Sequence, residues 1–123
     1  MKILVIEPEK KPVVKEIDGS LDSMQKIVGG IIQALYPFAE EVACICNDEG
    51  KLLGLPLNRE LRDDEGRCYD ILCGTFFLVG CPANEDCFTS LTEQQIEQFS
   101  EYFAVPRVFL NVNGKLHIIP YTE

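Results

Sequence analysis

Short runs of apolar and β-branched residues at 2–7 and 13–17 predict two strands, and the polar turn between them, with Pro8 and Pro12, makes them an opening hairpin. The spacing then turns helical. Leu21, Met24, Ile27, Val28 and Ile31 recur at helical intervals, Asp18-Gly19-Ser20 places capping side chains ahead of them, and Gly29-Gly30 closes the pattern. Residues 31–36 are an apolar run that fits a strand or a continued helix as far as Pro37; we read a strand. Residues 42–46 and 51–53 flank Asn47-Asp48-Glu49-Gly50, a loop whose glycine can take positive φ, and this predicts a second hairpin. Residues 55–58, with Pro56, break the regularity. A further turn at Asp63-Asp64-Glu65-Gly66 leads into a strand at 68–72, and the dense β-branched and aromatic run at 75–79 has the make-up of a central strand. Gly74 between them marks a bulge or close backbone approach, or else a bend between two strand halves.

Ser90-Leu91-Thr92-Glu93 matches a capping box and predicts a helix over about 91–103. Its apolar stripe is Ile96, Phe99, Tyr102 and Phe103; Glu93, Glu97 and Glu101 fall on the other face, and Pro106 stops it. Runs at 108–112 and 115–119 around Asn113-Gly114 form a closing hairpin, because a type I′ turn needs positive φ at both central residues. Phe76 and Phe77 on a strand, and Phe99 and Phe103 on the helix, are expected in the core. The fold class that follows is α+β: one domain over residues 1–123, a mainly antiparallel sheet with two helices packed on it.

Charge narrows the partners. With 20 acidic against 11 basic residues and a formal charge of −9, the chain is not expected to bind a nucleic-acid backbone or an anionic membrane directly. A basic protein is the partner this charge points to. The stretch 82–106 has no Lys or Arg yet carries Glu85, Asp86, Glu93, Glu97 and Glu101. Like charges four apart cost a helix about 0.2–0.5 kcal/mol per step. Glu93, Glu97 and Glu101 therefore make a candidate acidic interaction face, set against the plainer reading of a solvated surface. No apolar stretch approaches a membrane span, the opening run is too short for a signal h-region, and a cytoplasmic location is expected.

In a reducing compartment the six cysteines are expected to be free thiols, with Cys44 and Cys46 pointing to one face of a strand as small hydrophobes. No C-x2-C pair occurs and His117 is the lone histidine, so no metal site and no cofactor is expected. Across the closing turn His117 pairs with Leu110, the position of a structural or surface histidine rather than a catalytic one. The acidic pairs at 48–49 and 63–65 suit turn chemistry and solvation, and no Gly-rich phosphate loop is present.

Three stretches carry a resemblance: MQKIVGGII at 24–32, GLPLNR at 54–59 and DILCGTFFLVG at 70–80. Together they resemble the family known as domain of unknown function 3846, over most of the first hundred residues and without the closing hairpin. The resemblance implies a small acidic protein of clostridial-type gut bacteria or their phages, plasmids and conjugative elements, and it brings no catalytic residue. Within the shared stretches Asn58 and Arg59 are polar and follow a proline loop, the kind of place where a scaffold presents a binding site, and with Thr75 they are the candidate binding residues. Two readings follow. One is a non-enzymatic interaction protein, an accessory factor of a mobile element that meets a basic partner, or blocks a DNA-binding surface by acidic mimicry. The other is a small ligand-binding domain or enzyme that uses the Asn58-Arg59 loop and a free cysteine such as Cys73 or Cys81.

Overall fold

The computed structural model of the protein describes residues 1–121. Five strands form one sheet in the order β2-β1-β7-β4-β3: β1 (Lys2–Ile6), β2 (Val13–Glu16), β3 (Ile32–Leu35), β4 (Val42–Asn47) and β7 (Phe76–Gly80). A two-stranded ribbon, β5 (Leu57–Arg62) with β6 (Cys68–Cys73), and a closing hairpin, β8 (Arg107–Val112) with β9 (Lys115–Pro120), make two further sheets. Every pairing among these strands is antiparallel, and with helices α1 (Leu21–Val28) and α2 (Glu93–Tyr102) the class is α+β, as the hydrophobic pattern predicts.

The central strand β7 is buried along its whole length, and the pleat sends alternate side chains to opposite faces. Phe77 and Val79 join Ile3, Val5, Ala43 and Ile45 on the face covered by Met24 and Val28 of α1. On the other face Phe76 and Leu78 join Leu4, Ile6, Cys44 and Cys46. That second face is covered by Phe99 of α2, by Phe103 just after it and by Leu61 and Leu72 from the ribbon. Both faces of the middle strands β1, β7 and β4 are therefore dry, which explains their continuous apolar runs in place of strict alternation.

Helix α1 follows its predicted signals. Ser20 caps it by accepting from the Ser23 N–H, and Gly29 ends it at φ 80°. Asp18 in turn accepts from the Ser23 hydroxyl and the Ser20 N–H, and these donors hold its carboxyl down at about 2. Helix α2 starts later than the Ser90 capping box predicts. Ser90 Oγ is taken by the Lys2 N–H at 3.0 Å, so Thr92 becomes the cap and Gln95 closes the box by accepting from the Thr92 N–H.

The predicted hairpin of 42–46 with 51–53 does not form. Both edges of β4 are occupied, by β3 and by β7, so no ladder is left for 51–53, which coil into a turn in which Leu53 N–H donates to Glu49 O. Gly50 is needed there for a close approach and not for positive φ: a Cβ would lie 2.9 Å from the Cys73 carbonyl oxygen. Asn47 opens this turn, its Oδ1 accepting from the Glu49 N–H, and its Nδ2 also donates to Val28 O and so caps the C-terminal end of α1. The opening hairpin, the strand at 32–35 and the closing Asn113-Gly114 turn, with φ of 53° and 82°, form where predicted.

Candidate functional site

Asn58 and Arg59 lie on β5, a strand the sequence pattern does not reveal, and not on an exposed loop. The pairing of β5 with β6 slips at Asn58, a bulge that turns its side chain inward. Asn58 Nδ2 donates to Ile6 O at 2.9 Å and Gly74 O at 2.8 Å, tying the ribbon to the sheet. Gly74 sits at φ 81° in the bend between β6 and β7, and a Cβ there would come within 2.7 Å of Leu55. Thr75, next in the chain, is half-buried.

Arg59 is 1% exposed, the bulkiest of the fully buried side chains. Its Nη1 donates to Asn58 Oδ1 at 2.8 Å, and its Nη2 donates to Lys10 O at 2.6 Å and Phe103 O at 3.2 Å. One guanidinium thus joins the opening turn, the ribbon and the end of α2. Its Nε–H has no partner among the described residues. Burial first and Arg107 second pull its pKa down to about 10, against the opposing charge of Glu60.

Glu60, the neighbouring buried residue, accepts from Arg62 Nη2 at 2.9 Å and from Arg107 Nε at 3.0 Å. Burial pushes its carboxyl up, but its own backbone N–H and the two arginines outweigh that and leave it below the ordinary value. Arg59, Glu60, Arg62 and Arg107 share a cleft of about 140 Å³ with Tyr102 and Phe103 from the end of α2.

A separate cleft of about 320 Å³ holds Cys46 and Cys73 together with Gln33 and the Lys51–Asp70 ion pair. Its thiols are weak nucleophiles. Burial pushes Cys46 up to about 11, aided by Asp48 and Asp70, and burial also raises Cys73. Cys68 and Cys87 are exposed. At pH 8 we expect an alkylating reagent to label Cys68 and Cys87 first and to leave Cys44, Cys46 and Cys73 protected, with Cys46 reactivity rising only as pH climbs toward its raised pKa. Peptide mass mapping reads this directly, and Cys46 labelled as fast as Cys68 at pH 8 would contradict it.

The remaining candidates are spread over the surface. Glu93, Glu97 and Glu101 are all exposed on α2, and Lys2 approaches only Glu93, at 3.9 Å. His117 is exposed on β9 opposite Leu110, and Cys81 is half-buried against the α1 side of the core. Neither His117 nor Cys73 lines the Arg59 cleft. Nothing in the sequence singles out Arg62 or Arg107, because isolated arginines carry no spacing signal. No described helix is long and apolar enough to cross a membrane, and the described residues contain no cluster of three or more His, Cys, Asp or Glu suited to a metal ion.

No curated protein and no solved structure matches the chain. A family model does match, over residues 1–104, ending just after α2 and leaving the β8–β9 hairpin outside. Its span takes in the five-stranded sheet, both helices and the ribbon with Asn58 and Arg59, so the chain belongs to the family described as a domain of unknown function, DUF3846.

Proposed function

We propose that this protein is a non-enzymatic accessory factor of a mobile genetic element that binds a basic protein through the outer face of α2. The observation that carries the reading is the placement of Glu93, Glu97 and Glu101. All three are exposed on a helix whose opposite side is fixed by buried Phe99, and Glu97 and Glu101 have no ion-pair partner among the described residues. A row of carboxylates on an ordered helix, two of them without an ion-pair partner among the described residues, presents a high local negative potential without the helix having to form on binding, which favours fast association with a basic surface. The same row can imitate a run of phosphates and so occupy a DNA-binding surface.

The competing reading, an enzyme or ligand-binding domain built on an exposed Asn58-Arg59 loop and a free thiol, is weakened by two observations. Both side chains are committed to backbone carbonyls, and Cys73 lines a different cleft from Arg59. The test is a pull-down from lysate of a related anaerobe at low and high salt, with wild type and with the Glu93→Lys, Glu97→Lys, Glu101→Lys triple variant. A basic protein captured by the wild type, released by salt and missed by the variant is expected. Equal capture by the variant rejects the acidic face.

A further inference from the structure

We propose that the cleft formed by Arg59, Arg62 and Arg107 at the C-terminal end of α2 is a binding site for a small oxyanion of the phosphate class. It lies apart from the exposed glutamates of α2 and does not depend on their role. The argument begins with charge. Three guanidinium groups and one carboxylate line a single cleft, and that carboxylate, Glu60, is already shared by Arg62 and Arg107. The end of α2 supplies a further partial negative charge of about −0.5, which Arg59 meets through Phe103 O. That does not offset the two remaining positive charges, and no carboxylate pairs with Arg59 among the described residues. In a chain with a formal charge of −9, an uncompensated cationic cleft is the exception.

Hydrogen bonding points the same way. Arg107 gives Nε to Glu60 and Nη1 to Val105 O, which leaves Nη2 without a partner among the described residues. Arg62 gives Nη1 to Gly66 O and Nη2 to Glu60, which leaves its Nε. Arg59 forms the fully buried floor, and its Nε is the one buried side-chain nitrogen or oxygen left without a partner among the described residues. That nitrogen lies beneath the surface a bound ion would touch, so Arg59 acts on the cleft through its charge, and the open donors are those of Arg62 and Arg107. Guanidinium forks match the oxygens of a phosphate in both charge and geometry. The cleft volume of about 140 Å³ admits one such group and is too small for a whole nucleotide. Tyr102, half-exposed, stands at its wall.

The experiment is calorimetric titration of the full chain with inorganic phosphate at constant ionic strength, beside O-phosphoserine and acetate. Saturable binding of phosphate with a raised melting temperature is expected, and acetate should bind more weakly. Comparable binding of phosphoserine identifies the terminal group of a phosphomonoester as the ligand; binding of inorganic phosphate alone identifies the free ion. Arg62→Gln, at a surface position, and Arg107→Gln should each weaken binding about tenfold or more. Lys15→Gln, an equal change in net charge on exposed β2, should not. No saturable heat, or equal weakening by Lys15→Gln, overturns the site. Circular dichroism of each variant establishes that it is folded before it is titrated.

Discussion

Replacing Arg59 with alanine is expected to lower unfolding free energy by about 2–4 kcal/mol, more than any exposed charge in the protein would. Truncation strips the donor from Phe103 O and Asn58 Oδ1, and each buried acceptor left unpaired costs about 1–3 kcal/mol, while Lys10 O, on an exposed turn, can take a water instead. It also opens a void at the junction of three elements. Relief from burying a cation beside Arg107 works in the opposite direction and keeps the net figure below the sum of those costs. Urea unfolding at pH 7 measures it. The volume-preserving Arg59→Met variant separates the two contributions, since it loses the hydrogen bonds but not the packing. A change under about 0.5 kcal/mol for Arg59→Ala, the range of an ordinary surface substitution, would contradict the structural role assigned to this guanidinium.

Phe99→Ala should cost about 3–5 kcal/mol, the usual range for emptying a buried aromatic site. Phe99 is the buried residue within α2; its ring lies 4.7 Å from that of Phe38 and 6.4 Å from that of Tyr102, and it packs in the cluster that covers one face of the sheet. Helix α2 is 10 residues long, too short to persist in water without that anchor. Amide hydrogen exchange should therefore accelerate across 93–102 more than across β7, beyond what the global loss of stability explains. A loss below about 1 kcal/mol with unchanged exchange would mean that other contacts hold the helix. Such a result would also remove the rigid presentation on which the acidic face depends.

Sequence-readable features were those whose cause is local. Ser20 and Gly29 bracket α1 through bonds made within its own turns, and Asn113-Gly114 specifies its hairpin from two residues. The run at 76–80 is legible as a central strand because burial on both faces demands apolar residues throughout. What escaped reading was decided at long range. Ser90 loses its capping role to the backbone of Lys2, a residue 88 positions away. The turn after β4 cannot open a hairpin because β7, later in the chain, has taken the edge. Most of all, Asn58, Arg59 and Glu60 are consecutive polar residues buried in a strand, whereas a periodicity argument assigns polar residues to solvent. The carbonyls of Ile6, Lys10, Gly74 and Phe103, drawn from four distant segments, make the burial of Asn58 and Arg59 tolerable, and Arg62 and Arg107 do the same for Glu60. The arginine cleft is likewise visible only once β5 and β8 lie side by side, with Glu60 bonded to Arg107 across 47 positions.

The placement of β7 between β1 and β4 has a consequence for how the chain comes together on the ribosome. The hairpins β1–β2 and β3–β4 are each local, yet neither touches the other through a ladder; β7 is the strand that joins them. It begins at Phe76, about 70 residues after β1 ends. At usual elongation rates the first hairpin waits roughly 3–14 s for it. Throughout that interval the inner edge of β1 offers unpaired amides next to Ile3, Leu4 and Val5, which the finished protein buries. Nascent chains stalled before residue 76 are thus the species most open to mispairing with one another, and Lys2 and Glu7, which flank the apolar run Ile3 to Ile6, are the nearest gatekeepers against it.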